Sequence, residues 1–268
     1  MDTYKAFHVL HIDNGLKADT VLHLIREEPL SIRVQGKPYS VIMRTPGDEK
    51  AHVAGFCLAE GIVDTPDDIV SIAFCDGEDT NVVAVTLHPS RQHAVTDHLE
   101  RREYISQTSC GLCGKKVVDE LYQMITPLTD KTVLDFQKAC ECLQHISDIQ
   151  PIRQLTRASH AAALYDADFN LMAAAEDVGR HNALDKVVGK LFMERTLNQT
   201  RLLTISSRLS YELVQKAARA RIPVLISRSR PTALAADLAD KLNITLACLP
   251  NKEKGAYIFC GRQRFDGV

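Results

Sequence analysis

The sequence predicts an α/β protein, a small α+β unit followed by a larger layered α/β unit. Three observations carry this. From His160 to Cys260, strand-like and helix-like stretches alternate at the spacing of βαβ crossovers. Ahead of them, a hairpin pattern, one helix and two more strands fill a shorter segment. The chain has 268 residues and is 45% apolar, enough for a sizeable core.

Taken in order, residues 1–19 show no strong period and read as a loose arm. Leu30, Ile32 and Val34 alternate with polar residues, Gln35-Gly36-Lys37-Pro38 is a turn, and Tyr39 to Met43 alternates again, which predicts a β-hairpin. Thr45-Pro46-Gly47-Asp48 has capping-box spacing, with Thr45 as the expected cap of a helix that ends near Gly61. Strands at Ile69–Cys75 and Val82–Leu87 follow, and Pro89 to Arg102 reads as a helix. These make residues 20–108 a small α+β domain, 109–116 a cysteine loop and 117–268 the larger α/β domain. In that last part, Val133, Phe136, Cys140 and Leu143 mark an amphipathic helix. A hairpin spans 160–175. Helices at 182–195, 210–220 and 232–242 alternate with strands at 201–205, 223–227 and 244–249, and a final strand covers 256–260. The expected sheet is largely parallel.

Net charge is -2, so nothing draws the whole chain to nucleic acid. No run approaches the ~18 apolar residues of a membrane span. The N-terminus lacks the basic start and apolar stretch of a signal peptide, so the expected place is the cytoplasm, where the eight cysteines stay mostly free.

The chemistry concentrates in Ser109-Cys110-Gly111-Leu112-Cys113-Gly114-Lys115. Two thiols lie three residues apart ahead of helical spacing at Val117, Leu121 and Met124. A helix N-terminus and two lysines favour thiolate, the reactive form. Three readings compete: half of a zinc site completed by Cys140 and Cys142, thioredoxin-like exchange, or a nucleophilic, sulfur-carrying thiol. Cys140 and Cys142 do not share a helix face, and the βαβ context of a redox CxxC is missing. A zinc deaminase would need Glu where Ala162 follows His160. No structural metal is expected.

Ligands of open α/β sheets bind beyond the carboxyl ends of strands. Three such loops, Glu176–Asn182, Ser206–Ser210 and Ser227–Thr232, each join arginine with serine, histidine or asparagine ahead of a helix N-terminus. That chemistry suits phosphate. Asp177, His181 and Asp185 form a further candidate acid/base set.

Together these stretches resemble one family, the formate dehydrogenase accessory sulfurtransferases (FdhD). The likeness rests on the Ser109–Lys115 loop, on Glu176-Asp177-Val178-Gly179-Arg180-His181-Asn182-Ala183-Leu184-Asp185-Lys186, on Ala59-Glu60-Gly61-Ile62 and on the run Ser207–Ala217. The resemblance implies a cytidine-deaminase-like layered α/β domain with a smaller N-terminal α+β domain, and a homodimer. It implies that a cysteine desulfurase loads Cys110 with persulfide sulfur. Cys113 assists transfer to the molybdenum (or tungsten) of a bis(molybdopterin guanine dinucleotide) cofactor, needed by formate dehydrogenase. The implied cofactor-binding stretch is Ala256, Tyr257, Ile258, Phe259, Cys260 and Gly261. Arg180, His181, Ser207, Arg208 and Ser229 join it from the strand-end loops. A rival reading is a cofactor-binding chaperone without sulfur transfer. Neither nucleic acid nor membrane is an expected partner. The family's usual Thr-Gly-Gly-x-His is here Thr156-Arg157-Ala158-Ser159-His160, and its Ser-Gly-Arg is Ser206-Ser207-Arg208.

Overall fold

A computed structural model describes residues 2–76, 79–92, 125–250 and 255–268. The first residues are not a loose arm. Strands β1 (Tyr4–Asp13) and β2 (Leu16–Ile25) pair antiparallel from Tyr4↔Ile25 to Asp13↔Leu16. Asn14 and Gly15 both take positive φ, 48° and 85°, the conformation of a type I′ turn.

Next come β3 (Glu28–Val34) and β4 (Lys37–Arg44), the expected hairpin, then helix α1 (Glu49–Ala59), β5 (Ile69–Asp76) and β6 (Asp79–Leu87). They form a four-stranded sheet of order β4-β3-β6-β5. The expected cap of α1 is corrected: Asp48 precedes the helix in left-handed conformation with no side-chain cap, while the Thr45 hydroxyl accepts from Val178 N at 3.0 Å. Thr45 is buried beside the second sheet, so its hydroxyl serves that contact instead of the helix end.

The larger part holds β7 (Leu134–Asp135), α2 (Phe136–Gln144), the short α3 (Pro151–Thr156), β8 (His160–Tyr165), β9 (Leu171–Asp177), α4 (Arg180–Met193) and β10 (Leu202–Arg208). It continues through α5 (Tyr211–Arg219), β11 (Val224–Ser229), α6 (Ala233–Lys241), β12 (Thr245–Cys248), β13 (Tyr257–Cys260) and β14 (Phe265–Asp266). Its main sheet has the order β13-β12-β11-β10-β8-β9. Only β10–β11 and β11–β12 are parallel, and the other three pairings are antiparallel, so the sheet is mixed and not largely parallel. Hairpin connections at β8–β9 and the return of β13 reverse direction where no crossover helix intervenes.

Both faces of this sheet are covered, and alternate residues serve different cores. Ala162 and Leu164 join the cluster under α4, α5 and α6, while Ala161, Ala163 and Tyr165 join a second one with Leu143 and Phe265. The first cluster runs on without a break into Leu30, Ile32, Val53, Val83 and Val85. The two predicted domains therefore share one core.

The seam between them is α1 crossing α4. A Cβ at Gly55 would lie 1.9 Å from Asp185 O, and one at Gly189 would lie 1.7 Å from Ala51 O, so the two backbones touch. Charged groups are buried along the same seam. Asp177 Oδ2 meets Lys186 Nζ at 2.7 Å and accepts from Thr45 N at 3.0 Å, while Lys186 Nζ also donates to Thr45 O at 2.8 Å. Lys216 Nζ grips both Asp185 oxygens at 2.8 and 2.7 Å. Fully buried Arg44 reaches Glu49 at 3.1 Å and Asn81 at 2.8 Å.

His52, on α1, is fully buried, and among the described residues neither ring nitrogen has a hydrogen-bond partner of good geometry, Asn182 being the nearest candidate. Burial pushes its pKa well below the ordinary value, helped by Lys186, Lys216 and Arg44; the nearby Asn182 amide works the other way. The folded protein keeps His52 neutral where the unfolded chain would take up a proton. Stability is therefore complete above the unfolded value, about 6.5, and falls as pH drops below it, by about 1.4 kcal/mol per pH unit. Urea unfolding from pH 7 to 5 is expected to show a loss at least this steep below the unfolded value, since His160 and His181 are also lowered, and His52→Leu is expected to make it shallower by one proton's worth.

Candidate functional site

The register of the main sheet brings the predicted loops to one edge. β8 runs antiparallel to β10 and β9, so His160 lies at the same end as Asp177 and as the carboxyl end of β10, Ser206–Arg208. The parallel neighbour β11 ends there at Ser229, and the start of β13 returns there with Tyr257 opposite Cys248. The N-termini of α4, α5 and α6 follow the ends of β9, β10 and β11 at this edge.

Its chemistry is cationic. Burial lowers the pKa of His160, and Arg153 and Arg180 lower it further against Asp177. Burial also lowers that of His181, with Glu212 opposing and Arg180, Lys216 and His160 adding to the fall. Arg180 lies close enough to act on both histidines, on top of the larger effect of burial. Arg180 Nε is buried and has no hydrogen-bond partner among the described residues. A buried guanidinium nitrogen without a partner, beside two histidines whose pKa is lowered first by burial and then by neighbouring cations, is a place an anion would complete. Arg208 is exposed at the end of β10. Arg157, where the resembled family carries glycine, holds a left-handed φ of 57° at the end of α3.

The loop bearing Arg180 and His181 is set by Asp177. Its Oδ1 accepts from Gly179 N and from Asn182 Nδ2, each at 2.8 Å, while Oδ2 is held by Lys186 and Thr45. Glu176, alongside, accepts from Ile152 N at 2.7 Å and Arg153 N at 3.0 Å and from the Ser159 hydroxyl. Asp177 and Glu176 are therefore occupied within the fold, while Glu212 pairs with His181 and Arg208 stays exposed.

Asp177, His181 and Asp185 do not converge as an acid/base set. Asp177 pairs with Lys186 and Asp185 with Lys216, while His181 Nε2 meets Glu212 at 2.9 Å and Ser210 Oγ at 3.3 Å. Burial raises the Asp185 pKa, with Lys216 pulling it back.

The remaining predicted residues divide by position. The Ser207 hydroxyl donates to Arg208 O at 3.2 Å, and Ser229 O accepts from Ser227 Oγ at 2.7 Å. Tyr257 is half-exposed with the Arg230 guanidinium 5.1 Å from its ring centre, and Phe259 is exposed on the same face of β13. Ala256 precedes that strand. Ile258 turns into the second core, and Cys260 packs on the first, where burial raises its thiol to about 11. Gly261 lies at the far end of β13, where a Cβ would meet Thr245 Oγ1 at 2.5 Å. So Tyr257 stands at the cationic edge, and Cys260 and Gly261 stand at the opposite end of the strand. Arg230 lies in the predicted loop Ser227–Thr232, whereas Arg153, two residues after Pro151, carries no signal in the sequence. Cys110, Cys113 and the helix expected after them lie outside the described residues.

Fold and edge together define a mixed α/β protein with arginines and histidines gathered at its strand ends. The chain belongs to the FdhD/NarQ family, whose model matches residues 25–266. It is 38% identical to the sulfur carrier protein FdhD of Streptomyces avermitilis over 89% of this chain and 87% of that one. It is 34% identical to the protein of the same name from Xanthomonas campestris pv. campestris, over 94% and 89%. Its fold matches the crystal structure of a protein assigned as a formate dehydrogenase accessory protein from Desulfotalea psychrophila, with TM-score 0.77, 23% identity, and coverage of 98% of this chain and 100% of that one.

Proposed function

We propose that this protein is a sulfur carrier that serves formate dehydrogenase. It takes persulfide sulfur from a cysteine desulfurase on Cys110, with Cys113 assisting, and passes it to the metal of a bound molybdenum bis(molybdopterin guanine dinucleotide) cofactor. The reading rests on family membership together with one observation, the cationic strand-end edge with its unpaired Arg180 nitrogen. A dinucleotide's phosphates are polyanionic, and guanidinium groups beside helix N-termini suit them. The Arg230–Tyr257 pair at the same edge offers a flat surface of the kind on which a purine stacks. In this reading the cofactor is the substrate, the protein a homodimer and its place the cytoplasm. Among the described residues, no helix is long and apolar enough to cross a membrane.

In the transfer, the Cys110 thiolate attacks the outer sulfur of the donor persulfide, and the donor leaves as a thiolate. The test is intact-protein mass spectrometry after incubation with a cysteine desulfurase and cysteine. Wild type is expected to gain a reducible adduct of about one sulfur atom, and Cys110→Ala to gain none. An unmodified wild type, beside a known acceptor that is loaded, overturns the sulfur-carrier reading.

A further inference from the structure

We propose that the β1–β2 ribbon is a self-pairing arm: β1 joins β1 of a second copy of this chain, edge to edge and antiparallel, about a two-fold axis at Val9. The inference is independent of sulfur transfer.

Among the described residues the ribbon is largely exposed. Its two ten-residue strands carry apolar groups on both faces, with Leu10, Ile12 and Val21 on one and Phe7, Leu22 and Leu24 on the other, all 40–60% exposed. An isolated two-stranded ribbon is marginal in water, and a long apolar edge recruits another strand. The family match begins at residue 25, so the ribbon lies ahead of the matched residues. β2 runs against α3, and among the described residues no strand pairs with the other edge of β1.

The sequence of β1 selects its partner. Asn14-Gly15 closes a two-residue turn, so Asp13 and Leu16 exchange hydrogen bonds. Counting back from there, the odd residues of β1 bond to β2. The even ones, Ala6, His8, Leu10 and Ile12, point N–H and C=O outward. An added antiparallel strand must match even residues with even. Centred on Val9, that rule sets Ala6 against Ile12 and His8 against Leu10 of the second copy. The odd residues then fall as Lys5 against the second copy's Asp13, Phe7 against its His11, and Val9 against its Val9. Symmetry makes the Lys5–Asp13 pair twice, once at each end. The ribbon holds two lysines and two aspartates, so no net charge opposes a copy of itself. The result is a four-stranded sheet of order β2-β1-β1-β2, in which no row of β1 groups is left open.

The experiment is sedimentation velocity on the full chain over micromolar concentrations, for wild type, Lys5→Asp, Asp13→Lys and the double swap, with circular dichroism confirming the fold of each. Wild type is expected to dimerise. Each single swap sets like charges opposite one another twice and is expected to weaken the dimer about tenfold, and the double swap to restore it. Val9→Cys is expected to give a reducible covalent dimer, since facing residues of a non-hydrogen-bonded pair lie about 4.5 Å apart at Cα. Leu10→Cys is expected not to give one, with the linkage mapped by peptide mass spectrometry. A monomeric wild type overturns the proposal and leaves the ribbon to some other partner. So does a dimer indifferent to the swaps, a double swap that stays weak, or Val9→Cys that fails to cross-link.

Discussion

Lys186→Met is expected to cost the fold about 3–5 kcal/mol. The ammonium sits 2.7 Å from Asp177 and 2.8 Å from Thr45 O, with both side chains essentially inaccessible to water. Methionine fills nearly the same volume, so the loss is electrostatic: Asp177 stays buried with its charge uncompensated, and Thr45 O loses a donor. The size of this effect does not measure what the pair contributes relative to apolar residues, because burying two charges is itself expensive. Asp177→Asn in the Lys186→Met background is therefore expected to recover part of the stability. Urea denaturation of the two single variants and the double gives the cycle. A Lys186→Met protein as stable as wild type would show that the seam is not held by this pair.

Gly189→Ala is expected to destabilise by about 3 kcal/mol. The added methyl would lie 1.7 Å from Ala51 O and 2.7 Å from Gly55 N, both backbone atoms of α1. A side chain could rotate away, but a helix backbone cannot, so α1 and α4 must separate. On an ordinary helix the same change would stabilise by up to ~1 kcal/mol, because alanine is the better helix former. The sign is thus diagnostic of the crossing, and a thermal melt of the variant reads it directly. A melting temperature unchanged or raised would mean the helices are further apart than described.

Much of this architecture is legible in the residues. The longer described elements from Leu30 onward announce themselves by period, because their apolar positions face a core, whereas the two-residue β7 and β14 and the six-residue α3 are too short to carry one. The β8–β13 strands do so by short apolar runs, as befits a sheet covered on both faces. The ribbon at 4–25 was missed because both of its faces are apolar, which erases the alternation on which strand reading depends; only Asn14-Gly15 carried the signal. The mixed sheet was missed because strand direction comes from connections, and a strand returning after residue 255 reads like any other. At the edge, Arg180, His181 and Arg208 follow from their place after strands. The acid/base grouping fails because Lys186 and Lys216 claim the two aspartates, and the partner of a buried carboxylate is a matter of packing, which spacing along the chain does not reveal.

The hydrogen bonds across the seam also set the order in which the chain is able to fold. Thr45 waits for Asp177 and Lys186, 132 and 141 residues further on. During synthesis at about 5–20 residues per second, that is a delay of roughly 7–30 s. Through it the inner faces of β3, β6 and α1 are on the nascent chain without the surface that completes them, which is the interval in which a holding chaperone would matter most. A ribosome stalled before residue 177 would carry an N-terminal unit that has sheet and helix but no finished core.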